Sequence, residues 1–273
     1  MNARLAHVIV NGLLVGLTAV SLFPLLWMLS VSFMPPGAAS VPPPPFLPES
    51  PTLDNYRDLF LRAVMLRCVA NSLLLATVVT LVSLAFNTMA GYAFAKLRFA
   101  GRERIFRTLI GALLVPGQVA MMPLFLLLKE MGLVNTYGGV IVPAMAGIFG
   151  VFLVRQYART IPDELIEAAR ADGAGEWHIF AVVIVPLLRP VLASLAVFTF
   201  LGCWNDFIWP LIVLTDDELQ TLPVSLAALS REHVQDSEMM MAGSVVTVLP
   251  VLVLFLALQR HYIQGLLLGS VKG

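Results

Sequence analysis

The sequence predicts an all-α polytopic membrane protein with six transmembrane helices, and three observations predict it. Of the 273 residues, 59% are hydrophobic and 12% are charged, against about 25% charged in an ordinary soluble domain. Six apolar runs, over 8–33, 69–95, 105–128, 138–158, 182–213 and 241–263, each supply the roughly 20 helical residues that cross a bilayer. The basic residues also segregate. With the N-terminus in the cytoplasm, the inner segments hold Arg4, Lys96, Arg98, Arg102, Arg104, Arg107, Arg155, Arg159, Arg170, Arg189, Arg260 and Lys272. The outer segments hold only Arg57, Arg62, Arg67, Lys129 and Arg231. The positive-inside rule then places both termini in the cytoplasm. Residues 1–273 read as a single transmembrane domain.

The elements follow in order. The first run is followed by Gly37-Ala38-Ala39, a small-residue sequence compatible with signal cleavage. A signal core is only about 7–15 residues long, and Trp27 suits an interfacial anchor, so the first helix is expected to be retained. Residues 34–68 form an outer loop. Pro35, Pro36, Pro42 to Pro45, Pro48 and Pro51 favour an extended spacer, and an interfacial amphipathic helix over 52–60 follows it. Spans two, three and four are joined by short links. The fifth run is overlong, which predicts a cytoplasmic half-turn before entry at Pro186 or Pro190. Residues 214–240 make an acidic outer loop, and 264–273 a short cytoplasmic tail.

The inner loop over 159–181 differs from the other links because a turn alone would connect its spans. Pro162 suits a first helical position, Asp163 and Glu164 complement the helix dipole, and Gly173 suits a left-handed stop. A helix over 162–172 is expected, roughly 16 Å long at about 1.5 Å per residue. On 3–4 spacing Leu165, Ala168, Ala169 and Asp172 share a face, with Glu164 on the helix and Glu167 beside that face. Small alanines admit a partner surface closely. The competing reading is an amphipathic helix resting on lipid. Its acidic residues, Asp163, Glu164, Glu167, Asp172 and Glu176, would then face anionic headgroups. A second short helix is expected from Glu176, at an angle, leading into span five.

Several chemistries are excluded. No Gly-x-x-x-x-Gly-Lys-Ser/Thr loop is present, so no phosphate cradle or catalytic residue is assigned, and no cofactor is expected in this chain. His7, His178, His233 and His261 lack metal-ligand spacing, and Cys68 and Cys203 are placed too far apart to pair. A net charge of +0 argues against a nucleic-acid partner. Asn205 and Asp206 fall inside the fifth run. Such intramembrane polar groups either mark a pathway or hydrogen-bond across helices, and the second is the expectation.

The loop Glu167-Ala-Ala-x-x-x-Gly173 with downstream Pro186 resembles the EAA loop of ABC-importer permeases. Further motifs agree: Asn71-Ser72 opening span two, Ala90-Gly-Tyr-Ala-Phe-Ala-Lys-Leu-Arg-Phe99 at its end, and Trp204-Asn-Asp-Phe-Ile-Trp-Pro210 followed by Thr221-Leu-Pro223. The terminal Gly265-Leu-x-x-Gly-Ser-Val-Lys-Gly273 resembles the tail of the smaller maltose-type subunit. Val183 and Val185 stand where the family usually has Ile and Leu. The resemblance covers nearly the whole chain and implies a type I carbohydrate ABC-importer permease in the inner membrane.

It further implies a second homologous permease, two ATP-binding subunits that hold ATP and Mg, an extracytoplasmic sugar-binding protein and surrounding membrane lipid. Glu164, Glu167, Ala168, Ala169, Asp172 and Gly173 would dock an ATPase, and Gly269, Ser270, Val271 and Lys272 would reach the ATPase interface. Ser230, Arg231, Glu232 and Gln235 would meet the binding protein. ATP binding would draw the ATPases together and rock the permeases from inward-open to outward-open. A permease for glycerol phosphate or peptide, or a secondary transporter, is the alternative.

Overall fold

A computed structural model describes residues 3–61, 64–232 and 236–270. Among these residues every regular element is helical. In chain order they are α1 (Ala3–Val31), α2 (Asp54–Leu61), α3 (Val64–Lys96), α4 (Arg102–Ala112), α5 (Gly117–Glu130), α6 (Gly138–Ala144) and α7 (Ile148–Ala158). Then come α8 (Asp163–Ala171), α9 (Glu176–His178), α10 (Val185–Leu187), α11 (Arg189–Trp204), α12 (Ile208–Val213), α13 (Leu222–Glu232) and α14 (Ser237–Ser270). A π-helical stretch over Ile179–Ile184 separates α9 from α10.

Among the described residues, three segments are long and apolar enough to cross a membrane: Ile9–Val31, Met65–Lys96 and Gly138–Ala158. Two bent pairs raise the number to five. The run over 105–128 is thus broken in the middle, and the overlong run over 182–213 is bent near its start. Helices α4 and α5 meet at 104° because Pro116, with φ −58 and ψ 131, disfavours helical geometry at the residue before it. The segment Glu176–Leu187 meets α11 at 77°, where Pro190 cannot donate to the preceding turn. The break falls at Leu188, within the expected Pro186–Pro190 window. In α14 the stretch Ser237–Val253 is apolar but shorter than a span. The helix then continues to Ser270, so residues 264–270 are helical where a flexible tail was expected.

The described residues divide into two compact units. In residues 1–66 with 222–250, the proline-rich segment is an ordered strap over α1, with a short 3₁₀ turn at Ala38–Ser40. Phe46 stacks on Phe23 and sits 5.9 Å from Trp27. The Asn55 amide donates to the carbonyls of Ser32 and Met34, and Glu238, buried at the start of α14, accepts the Ala39 N–H at 2.8 Å. The helix expected over 52–60 is α2. The loop expected over 214–240 contains a full helix, α13.

The second unit, over 67–221 with 251–273, contains two core clusters among the described residues. One gathers Tyr92, Val154, Ala158, Ile161, Ile166, Ile179, Ile184, Leu188, Val191 and Leu195. The other gathers Leu75, Leu128, Val140, Trp209, Val213 and Leu214. Close approach of α3 to α7 depends on glycine. A Cβ at Gly91 would lie 2.6 Å from the Val154 side chain, and one at Gly150 would collide with the Asn87 amide.

Candidate functional site

The candidate site is α8 and the frame that holds it. Pro162 has an extended ψ of 136, so the helix begins one residue later than the sequence suggests, at Asp163. Asp163 and Glu164 occupy the first turn and Arg170 the last, each favourable to the dipole. At the other end Gly173 adopts φ 84. Its N–H donates to Arg170, and the Ala174 N–H donates to Ala169, both at 3.0 Å. This is a Schellman closure, and it requires the left-handed residue that glycine supplies without strain.

Nine residues are too few for a helix to hold by itself, since isolated helices below about 12–15 residues are marginal in water. Packing supplies the difference. Ile166 is 3% exposed and belongs to the core beneath the helix, and Ala169 is half-buried against the same cluster. Glu164, Leu165, Glu167, Ala168 and Asp172 are exposed. Ala169 therefore leaves the expected docking face and joins the anchoring one. Leu165 and Ile166 are neighbours of similar hydrophobicity, and only the direction of the core decides which is inside.

Two polar ties fix the helix to α3. Lys96, the last residue of α3, has a nearly buried side chain whose amine donates to the Ile161 carbonyl and to Asp163 Oδ1, each at 2.5 Å. The Lys96 hydrogen bond, then its charge, holds the Asp163 carboxyl below the usual range. One turn earlier on α3, Tyr92 lies 3.5 Å from Glu176 and its ring packs on Phe180. Glu176 in turn accepts from Arg170 at 2.7 Å. Sequence reasoning missed Lys96, Tyr92 and Ile166 as parts of the site. The motif containing Tyr92 and Lys96 was visible, but its partner across some 65 residues was not.

Beside α8 lies an open recess of ≈ 540 Å³, lined in part by Ala169, Asp172, Gly173, Gly175 and His178. Trp177, 74% exposed, stands next to it. An exposed acidic helix, an open recess and an exposed indole thus lie close together on α8 and its flank.

The other expected residues lie elsewhere. Asn205 and Asp206 occupy the break between α11 and α12, and their bonds are local. Asn205 donates to the Leu201 carbonyl at 2.9 Å, and Asp206 accepts the Trp209 N–H at 3.3 Å. The expected bond across helices is instead made by Trp209, whose indole donates to the Gly139 carbonyl at 3.1 Å. Ser230 is exposed near the end of α13, which also contains Arg231 and Glu232, while Gln235 lies outside the described residues. Gly269 and Ser270 end α14, and Val271 and Lys272 lie outside the described residues. Asn71, at the head of span two, donates to the carbonyls of Glu218 and Gln220 and accepts from Tyr137.

Residues 87–267 match the family described as the inner membrane component of binding-protein-dependent transport systems. The chain is 39% identical to the arabinooligosaccharides transport system permease protein AraQ of Halalkalibacterium halodurans, over 93% of this chain and 92% of that one. It is 32% identical to the lactose transport system permease protein LacG of Rhizobium radiobacter, covering 100% and 98%. It is 30% identical to the sn-glycerol-3-phosphate transport system permease protein UgpE of Shigella flexneri, covering 91% of each. Its fold is similar to a chain of a bacterial ABC transporter involved in the import of the acidic polysaccharide alginate, with TM-score 0.85, 23% identity, and 96% and 99% covered. A multi-pass helical protein with these relatives belongs to the family of binding-protein-dependent transport system inner membrane components.

Proposed function

We infer that this chain is the membrane-spanning permease subunit of a carbohydrate ABC importer, and that α8 is the helix through which ATPase movement reaches the membrane. One observation carries the coupling role: α8 exposes an acidic, small-residue face while its other face packs on the core and its ends are tied to Lys96 and Glu176. A push on such a helix passes to α3 through Lys96, and to α11 through the π-helical segment and the bend at Leu188. Names of relatives that transport arabinooligosaccharides and lactose support the carbohydrate reading. The relative named for sn-glycerol-3-phosphate keeps that solute as a second reading.

In this reading the chain crosses the membrane six times with both termini in the cytoplasm, and α14 forms the last crossing. A second permease completes the path, and two ATP-binding subunits carry ATP and Mg. Glu164, Glu167, Ala168 and Asp172 meet one of those subunits, and the tail from Gly269 to Lys272 reaches their interface. Ser230, Arg231, Glu232 and Gln235 face the binding protein. The chain itself makes and breaks no bonds.

The test is Glu167→Lys in the assembled complex. Charge reversal on the exposed face abolishes carbohydrate-stimulated ATPase activity while membrane insertion is kept. Wild-type stimulation in that variant contradicts the assignment. Uptake of a sugar panel set against glycerol phosphate separates the two solute readings.

A further inference from the structure

We propose that the turn between α3 and α4 is a binding site for the headgroup of an anionic phospholipid, formed by Arg98, Arg102, Arg104 and Arg107. The four guanidinium side chains line one open recess of ≈ 690 Å³, together with Phe99 and Glu103. Gly101, at φ 80, makes the turn that brings Arg98, beyond the end of α3, to the same recess as the arginines of α4.

The charge there is unbalanced. Glu103 is the only acid lining the recess, and it is engaged by Arg155 at 2.5 Å, with Arg102 at 4.0 Å. Arg155 is itself held by the Phe94 carbonyl and by the Phe106 ring beneath its guanidinium. Arg98, Arg104 and Arg107 are exposed and make no ion pair within 4.0 Å among the described residues, and Asp163 feels the charge of Arg98 only at longer range. An anion is the complementary occupant.

Two features favour a lipid over another anion. Helix α4 opens the third crossing, at the cytoplasmic membrane face in the six-span reading, and is bent by 104° from α5. Its other exposed residues include Ile105, with Leu113, Leu114 and Val115 following, and Phe99 stands exposed at the recess. Acyl chains and a phosphate headgroup would thus meet apolar and cationic surfaces side by side. A topological signal alone needs only positive charge, which lysine supplies equally. All four positions are arginine, whose planar fork matches phosphate oxygens in pairs. Basic pockets between membrane helices on the cytoplasmic side bind such headgroups. The recess lies at the same end of α3 as Lys96 and hence as α8, so lipid bound there would brace the frame of the coupling helix.

This inference rests on the permease reading for its membrane placement and not on the identity of the solute. The test places the assembled importer in nanodiscs of phosphatidylcholine mixed with phosphatidylglycerol and weighs the retained lipid by native mass spectrometry. Wild type retains phosphatidylglycerol over phosphatidylcholine by on the order of tenfold. R104Q/R107Q brings the two lipids to parity while the ATP-binding subunits stay attached. R104K/R107K keeps the topological charge, inserts normally, and retains phosphatidylglycerol a few-fold less well than wild type. Equal retention of both lipids by wild type, or an unchanged preference in R104Q/R107Q, overturns the proposal. So does release of the ATP-binding subunits from that variant, which would make the face an acidic-protein contact. Displacement of the lipid by free glycerol phosphate at equal concentration would reassign the site to a soluble phosphate. Carbohydrate-stimulated ATPase activity in phosphatidylcholine alone reports separately on the importer reading.

Discussion

Ile166 and Leu165 are adjacent apolar residues about 100° apart around a nine-residue helix, and truncating each should affect the stability of that helix very differently. Ile166 is 3% exposed and packed in the core, whereas Leu165 is 45% exposed. Removing the buried side chain to alanine costs about 2–5 kcal/mol. Taking about 3 kcal/mol, the fraction of molecules with α8 undocked rises roughly 100-fold, since each ~1.4 kcal/mol is a factor of ten. Leu165→Ala at an exposed position changes stability by only about 0.5 kcal/mol or less, but it removes apolar surface from the docking face. Hydrogen exchange over 163–174 reads the first effect. Ile166→Ala accelerates it strongly and Leu165→Ala leaves it near wild type, although both variants lose ATPase coupling. Equal exchange in the two variants would refute the assignment of faces. Unchanged exchange in Ile166→Ala would show that packing does not hold the helix.

Two further predictions concern the ends of α8. Gly173→Ala meets no neighbouring atom, so its effect comes from forcing φ 84 on a residue with a Cβ. The expected loss is about 1 kcal/mol, with Gly173→Asn milder, read as faster exchange at the Gly173 and Ala174 amides. Asp163 has a depressed pKa in the folded protein. Its tie to Lys96 is therefore fully present above the unfolded carboxyl pKa and disappears as pH falls through the lower folded value. Exchange in the first turn of α8 should quicken over that acidic window in wild type, and the step should vanish in Asp163→Asn. A pH-independent wild type would contradict it.

The class of the chain was legible because membrane crossing sets length and composition directly. The ends of α8 were legible to within one residue because Pro162 and Gly173 act through local backbone geometry. What the helix faces was less accessible. Assigning Ala169 to the exposed side followed a spacing that fits more than one stripe, and only the core from α3, α7 and α11 selects Ile166 and Ala169 as inward. The bends at Pro116 and Leu188 were half-visible, since proline marks where a helix stops but not the angle at which the chain resumes. Lys96 belonged to a recognised motif, yet its role depends on Ile161 and Asp163, which only folding brings near. The surroundings of Asn205 and Asp206 were not legible because an apolar run hides the break between α11 and α12, where each side chain makes a local bond.

The most direct measurement is cysteine cross-linking from two neighbouring positions of α8 in the assembled, transporting complex. Ala168 is exposed, whereas Ala169 is half-buried against the core at the edge of the recess. If α8 docks on an ATP-binding subunit, Ala168→Cys is captured by that subunit far more efficiently than Ala169→Cys. Capture at neither position in a complex that still couples ATP hydrolysis to uptake would contradict the account, and so would equal capture at both.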